Sequence, residues 1–219
     1  MPFRVDPSVA PPGVFTDHPI FLESLRLIRA LLGDTGLAEA ERDVLERLVH
    51  SCGDPGIAPA LRFSPGACAA GLRAVAAGGV ILTDTAMAAA AVAPMARRTF
   101  ANPVHSVLAW APAAAPPGST RTAAGMAGAL AAHPGAVVLV GSAPTALECL
   151  LDRCAKDDPP PALVIGMPVG FVGVAESKRR LAASGLPQIR LEGSRGGAAL
   201  VAAAVNALLR RAWLAGPEA

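Results

Sequence analysis

The sequence predicts a doubly wound α/β fold, a mostly parallel sheet of five or six strands with helices on both faces. Three observations carry that expectation. From Arg62 onward, short apolar runs alternate with segments of helical spacing across short loops, the pattern of parallel strands joined by crossover helices. The run 136–140, Ala-Val-Val-Leu-Val, holds no polar residue, as a strand covered on both faces requires. Residues 162–178 pass from an apolar strand through a Pro/Gly turn into a helix opening near 173–176. Such a junction lies at the carboxyl edge of a sheet, where ligands bind.

Taken in order, residues 1–16 are Pro-rich and read as irregular. Asp17 is placed to cap a helix over 18–32, whose Ile20, Leu22, Leu25 and Ile28 are apolar. A second helix is expected over 37–49 from Leu37, Val44, Leu45 and Leu48, stopped at Gly53. Ser64-Pro65 opens a helix to about residue 77, and a strand follows at 80–83. Asp84 is placed to cap the next helix, 85–92. Further strands are expected at 106–110, 136–140, 162–165 and 188–191, and further helices at 120–132, 145–155 and 197–213. Neither a repeat nor a composition shift divides the chain, so one domain over 1–219 is expected.

The 219 residues are 53% hydrophobic but only 4% aromatic, with no Tyr. The core is therefore built of Ala, Val and Leu. A net charge of +2 is too small to suggest nucleic acid as a partner. The mean hydropathy of +0.45 raises the question of a membrane. The apolar runs are cut at Asp84, His133-Pro134 or Pro144, short of the roughly 18 residues a span needs. The amino terminus carries no apolar leader core, and a cytoplasmic protein is expected. Cys52, Cys68, Cys149 and Cys154 form no C-x-x-C pair and read as buried, reduced thiols.

Four turns should share the carboxyl edge: Thr83-Asp84, 141–145, 166–173 and 193–197. Gly170 and Gly173 let backbone N–H groups approach a ligand. Arg29, Arg121, Lys178 and Arg195 stand near helix ends or turns, where they would suit a ligand with several carboxylates or phosphates. The plainer reading makes the glycines turn formers and the cations solvated. Dinucleotide, P-loop and hydrolase-elbow motifs are missing, and His18, His50, His105 and His133 have no metal-ligand spacing. His50, at a helix end, is where the helix dipole would favour a protonated imidazole, in a catalytic group or in a plain surface cap.

The segment Gly-Met-Pro-Val-Gly-Phe-Val-Gly-Val-Ala-Glu-Ser-Lys at 166–178 resembles the signature of the precorrin-8X methylmutase family. The resemblance runs from about Ile20 to Ala207. It takes in Ser24 and Arg29, then Val49-His50-Ser51-Cys52-Gly53, Phe63-Ser64-Pro65, Asp84 with Met87, Thr120-Arg121, Ala143-Pro144-Thr145, Gly196-Gly197 and Asn206-Ala207. Ser142 stands where the family has Asn, Thr122 where it has Ser, and Ala91 where it has Gly.

The resemblance implies a Rossmann-like homodimer with its site at the sheet edge near the interface, and an isomerase of cobalamin biosynthesis needing no metal or nucleotide. The ring-C methyl of precorrin-8X would move from C-11 to C-12, giving hydrogenobyrinic acid, with His50 donating and accepting the proton. Substrate contacts are expected at Ser24, Arg29, Thr83, Asp84, Met87, Arg121, Ser142, Ala143, Pro144, Thr145, Pro168, Val169, Gly170, Phe171, Glu176, Ser177 and Lys178. The competing expectation is a corrinoid-binding or carrier protein without turnover.

Overall fold

A computed structural model describes residues 17–156 and 158–216, so the expected irregular stretch 1–16 lies outside the described residues. The elements are α1 (Pro19–Leu32), α2 (Glu39–Cys52), β1 (Leu61–Phe63), α3 (Ala67–Ala76), β2 (Ile81–Thr83), α4 (Ala86–Arg98), β3 (Val104–Ser106), α5 (Arg121–Ala132), β4 (Val137–Val140), α6 (Pro144–Cys154), β5 (Leu163–Gly166), α7 (Val174–Ala183), β6 (Gln188–Leu191) and α8 (Ala198–Ala215). The strands form one six-stranded sheet, ordered β1-β6-β5-β4-β2-β3. All pairs are parallel except β1 with β6. The chain leaves β2 outward to β3, then returns past it to β4, so the order reverses between β2 and β4. That reversal is the topological switch point of a doubly wound sheet.

The period of two along each strand divides the core. Ile81, Val137, Leu139, Leu163 and Ile165 face one layer, with α2, α3, α4 and α8. Leu82, Val138, Val140 and Val164 face the other, with α5, α6 and α7. This is why these strands read as continuous apolar runs. Helix α8 is buried nearly all round, and its alanines let α2, α3 and α4 approach closely. It is long and apolar enough to cross a membrane by length and composition, yet most of it lies inside the protein.

Several expectations are corrected. β1 was not expected; its three residues pair Leu61 with Leu191 and Phe63 with Ile189. β3 lies earlier than expected, because Ser106 accepts from the Leu108 N–H and turns 107–110 into a 3-10 helix. α4 runs on through Pro94 to Arg98, where Met95 and Ala96 are buried. Asp17 does not cap α1; His18 Nδ1 accepts from the Ile20 N–H, and Asp17 binds Arg210. Asp84 does not cap α4, since Thr85 accepts from the Ala88 N–H. Of the four thiols only Cys68 is buried, which pushes its pKa up to about 12; Cys52, the last residue of α2, is exposed.

Candidate active site

The carboxyl edge is one frame of linked turns. Asp84, after β2, accepts the N–H groups of Gly141, Ser142 and Ala143, after β4. Gly141 O accepts from Val169 N, after β5. The β5–α7 and β6–α8 turns are joined by Gly170 N to Ser194 O and Gly197 N to Met167 O. Lys178, 3% exposed, donates to Gly193 O and Arg195 O at 2.7 Å each. Arg195 in turn binds Asp54 and Gly56 O, which ties the chain just past α2 to this edge.

Lys178 is a cation buried with backbone acceptors and, among the described residues, no carboxylate partner, and burial lowers its pKa from 10.5 to about 8. Between about pH 8 and the unfolded lysine value of about 10.4, the folded protein binds fewer protons than the unfolded chain. Stability from this group therefore rises with pH across that window, and the cost of the buried charge is present in full below it. Lys178→Met is expected to flatten that rise, measured by urea unfolding at pH 7.5, 9 and 10.5.

His50 stands in the last turn of α2, stopped by Gly53 in the left-handed region (φ 67°), whose N–H donates to Val49 O. Its Nδ1 lies 2.7 Å from Ser24 Oγ on α1. Phe21, one turn before Ser24, meets the imidazole edge-on with centroids 5.1 Å apart. Arg47, one turn before His50, places its guanidinium 4.6 Å from the centre of the Phe21 ring. The sequence suggested that the helix end would favour imidazolium. The opposite holds: partial desolvation against its neighbours, and then the Arg47 charge, push His50 below the usual imidazole range, although its edge stays exposed.

The precorrin-8X methylmutase family model matches residues 19–211. The chain belongs to the precorrin-8X methylmutase family. A precorrin-8X methylmutase of Pseudomonas aeruginosa is 44% identical over 86% of this chain and 93% of its own length. A cobalt-precorrin-8 methylmutase of Synechocystis sp. is 38% identical over 91% and 98%. The crystal structure of the precorrin-8X methylmutase of Thermus thermophilus has a TM-score of 0.81 at 40% identity, covering 90% of this chain and 97% of that one. These relatives are methylmutases, intramolecular transferases of cobalamin biosynthesis, and this chain is an isomerase of that kind.

Within this methylmutase fold the expected contact residues divide into two groups. Met87, Val169 and Phe171 project from the edge with 69%, 48% and 94% exposure. Thr145, at the start of α6, shares a 2.8 Å hydrogen bond with Thr120, and Ser142, Ala143, Pro144 and Gly170 are half-buried or exposed. The second group is turned into the protein. Thr83 donates to Thr85 O and Ser177 to Val174 O, both fully buried. Asp84 and Lys178 fasten turns, and Pro168 is buried.

The cations expected at the rim are also engaged. Arg29 binds Glu46, which is buried and needs a partner. Arg121 donates to Pro112 O, Arg195 joins Asp54, and Glu176 pairs with Arg179. Sequence reasoning missed Phe21, Arg47 and Val172, the last 88% exposed beside Phe171. The signal for the first two was the i,i+3 spacing from Ser24 and His50. Among the described residues no three His, Cys, Asp or Glu side chains form a group that could hold a metal ion.

Proposed function

We propose that this chain moves the ring-C methyl of precorrin-8X from C-11 to C-12 to give hydrogenobyrinic acid, with His50 carrying the proton. The observation that carries this reading is the His50–Ser24 pair at the end of α2, in a chain of this family. The Ser24 hydroxyl can donate to Nδ1 of a neutral ring or accept from Nδ1–H of a protonated one, so the ring is held in both states. Nε2, with no hydrogen-bond partner among the described residues, is left to exchange the proton. In the free protein His50 is biased toward the neutral form. A ligand bringing carboxylates near Arg47 would screen that cation and favour proton uptake by His50 as it binds. The protonated imidazole then shares its proton with the macrocycle while the methyl migrates, and recovers it as product forms.

The exposed Val169, Phe171 and Met87 would meet the apolar faces of the macrocycle, and Arg47 its carboxylates. We place the reaction in a single-domain, cytoplasmic homodimer. The α1 face that bears Ser24 also carries exposed Ile20, Leu27 and Leu31 at i, i+7 and i+11, an apolar stripe that a second copy would cover. Sedimentation velocity should then show a dimer, and Leu31→Glu a monomer. The function itself is tested by the absorption spectrum after incubation with enzymatically made precorrin-8X. Conversion to the hydrogenobyrinic acid spectrum, with product retained, supports the isomerase. Binding without conversion supports a carrier, and no change removes both.

A further inference from the structure

The carboxyl edge contains an anion site that is already filled. β2 and β4 are neighbours where the strand order reverses, and α6 begins just beyond β4, with Ala143 as its cap. Three successive backbone N–H groups, of Gly141, Ser142 and Ala143, converge on one oxygen, Asp84 Oδ2, at 3.1, 2.6 and 2.9 Å. Successive amides turned toward one point at a helix start make an oxyanion cradle. In doubly wound sheets that crevice is where ligands are received. Here the chain's own carboxylate lies in it.

Asp84 is fully buried, and its second oxygen, Oδ1, has no partner among the described residues. It is thus held through one oxygen by one cradle rather than by a surrounding network. Burial pushes the carboxyl up from its usual range, and backbone N–H groups, those of the cradle foremost, pull it back, so charge and cradle depend on each other. The consequences reach the exposed side chains. Residues 141–143 lead directly into Thr145, and Gly141 O accepts from Val169 N, so the cradle sets both the α6 start and the turn that carries Phe171.

We infer that Asp84 fills, in cis, the oxyanion cradle of the switch point and is the positioning residue for Ser142 to Thr145, so that the carboxylates of the ligand are received outside the cradle. The part concerning the ligand rests on the proposed function; the filled cradle does not. Asp84 is then no contact of the substrate, and an anionic group of the ligand gains nothing from the amides of 141–143.

The test uses Asp84→Gly, which also removes Cβ and leaves room for a formate ion at van der Waals distance. Its thermal midpoint is compared in about 50 mM sodium formate and in sodium chloride of equal ionic strength. The variant should melt several degrees below wild type in chloride and recover at least half of that loss in formate, with wild type indifferent to the exchange. Asp84→Asn, which can place its amide oxygen in the cradle, should fold and be indifferent too. kcat/KM for the tetrapyrrole should fall about 100-fold in Asp84→Gly, as a small misplacement of the site can cause, and rise about tenfold with formate.

Equal midpoints of Asp84→Gly in formate and chloride overturn the cradle, as does an Asp84→Asn protein that needs formate to fold. Stability restored without kcat/KM overturns the positioning role alone. If no form, wild type included, binds the tetrapyrrole, the proposed function fails while the formate-dependent midpoint still judges the cradle.

Discussion

His50→Ala should leave the fold and ligand binding intact and lower the rate of conversion by 10²- to 10⁴-fold, the range for a lost general acid or base. The fold is expected to survive because the ring is exposed at the end of α2 and, among the described residues, its one hydrogen bond is to Ser24. The pH profile is the sharper test. Burial and the Arg47 charge hold the His50 pKa below the ordinary imidazole value in the free protein, which favours the neutral ring. If it gives the proton, kcat/KM falls as pH rises through that lowered value, since the protonated form is then lost. If it first takes a proton, kcat/KM rises over the same interval.

Arg47→Met removes one of the two causes of the shift and should move this limb up toward the ordinary imidazole range, with Ser24→Ala moving it little. The profile for kcat, which reports the bound state, should titrate at higher pH than that for kcat/KM, because ligand carboxylates offset Arg47. A limb unmoved by Arg47→Met, or wild-type conversion by His50→Ala, removes His50 from the proton path.

Elements defined by their own periodicity were legible in the sequence. β6 stands at 188–191 as expected, β4 begins one residue later than expected and β5 is displaced by one residue at each end; β4 and β5 are legible because strands buried on both faces are apolar throughout. β1 was not legible. Leu61, Arg62 and Phe63 lie between Pro59 and Pro65 with no pattern of their own, and they are a strand only because β6, far along the chain, offers them an antiparallel edge.

The same distinction holds at the site. His50 could be found from its place before Ser51, Cys52 and Gly53, but the sign of its shift depends on Phe21 and Arg47, which fold against it. Asp84 reads as a helix cap because local partners are what a sequence shows. Its three donors stand 57, 58 and 59 residues on. Lys178 likewise reads as a free cation until the β6–α8 turn supplies two carbonyls. Side chains that fasten one turn to another look, in sequence, like side chains available to a ligand.

The turns themselves leave so little room that one methyl group should break the edge. A Cβ on Gly196 would lie 1.9 Å from Met167 O, 2.7 Å from Met167 C and 2.9 Å from Pro168 C. These are backbone atoms, with no rotamer through which to withdraw. Either the β6–α8 turn or the β5–α7 turn must move, and both are pinned by Gly197 N to Met167 O, Gly170 N to Ser194 O and the two Lys178 bonds. Gly196→Ala should therefore cost about 3 kcal/mol or more, the upper end for overpacking. Gly135→Ala is the control: it has a left-handed φ of 74° but open space around it, and should cost about 1 kcal/mol of backbone strain. Urea unfolding of the two variants beside wild type separates steric collision from backbone preference. If the losses are equal, the turns yield, and the rigid frame argued for this edge is wrong. If Gly196→Ala alone is severe, and the surviving protein also loses tetrapyrrole affinity, then the turn bearing Val169 and Phe171 is held in place by the absence of a side chain at position 196.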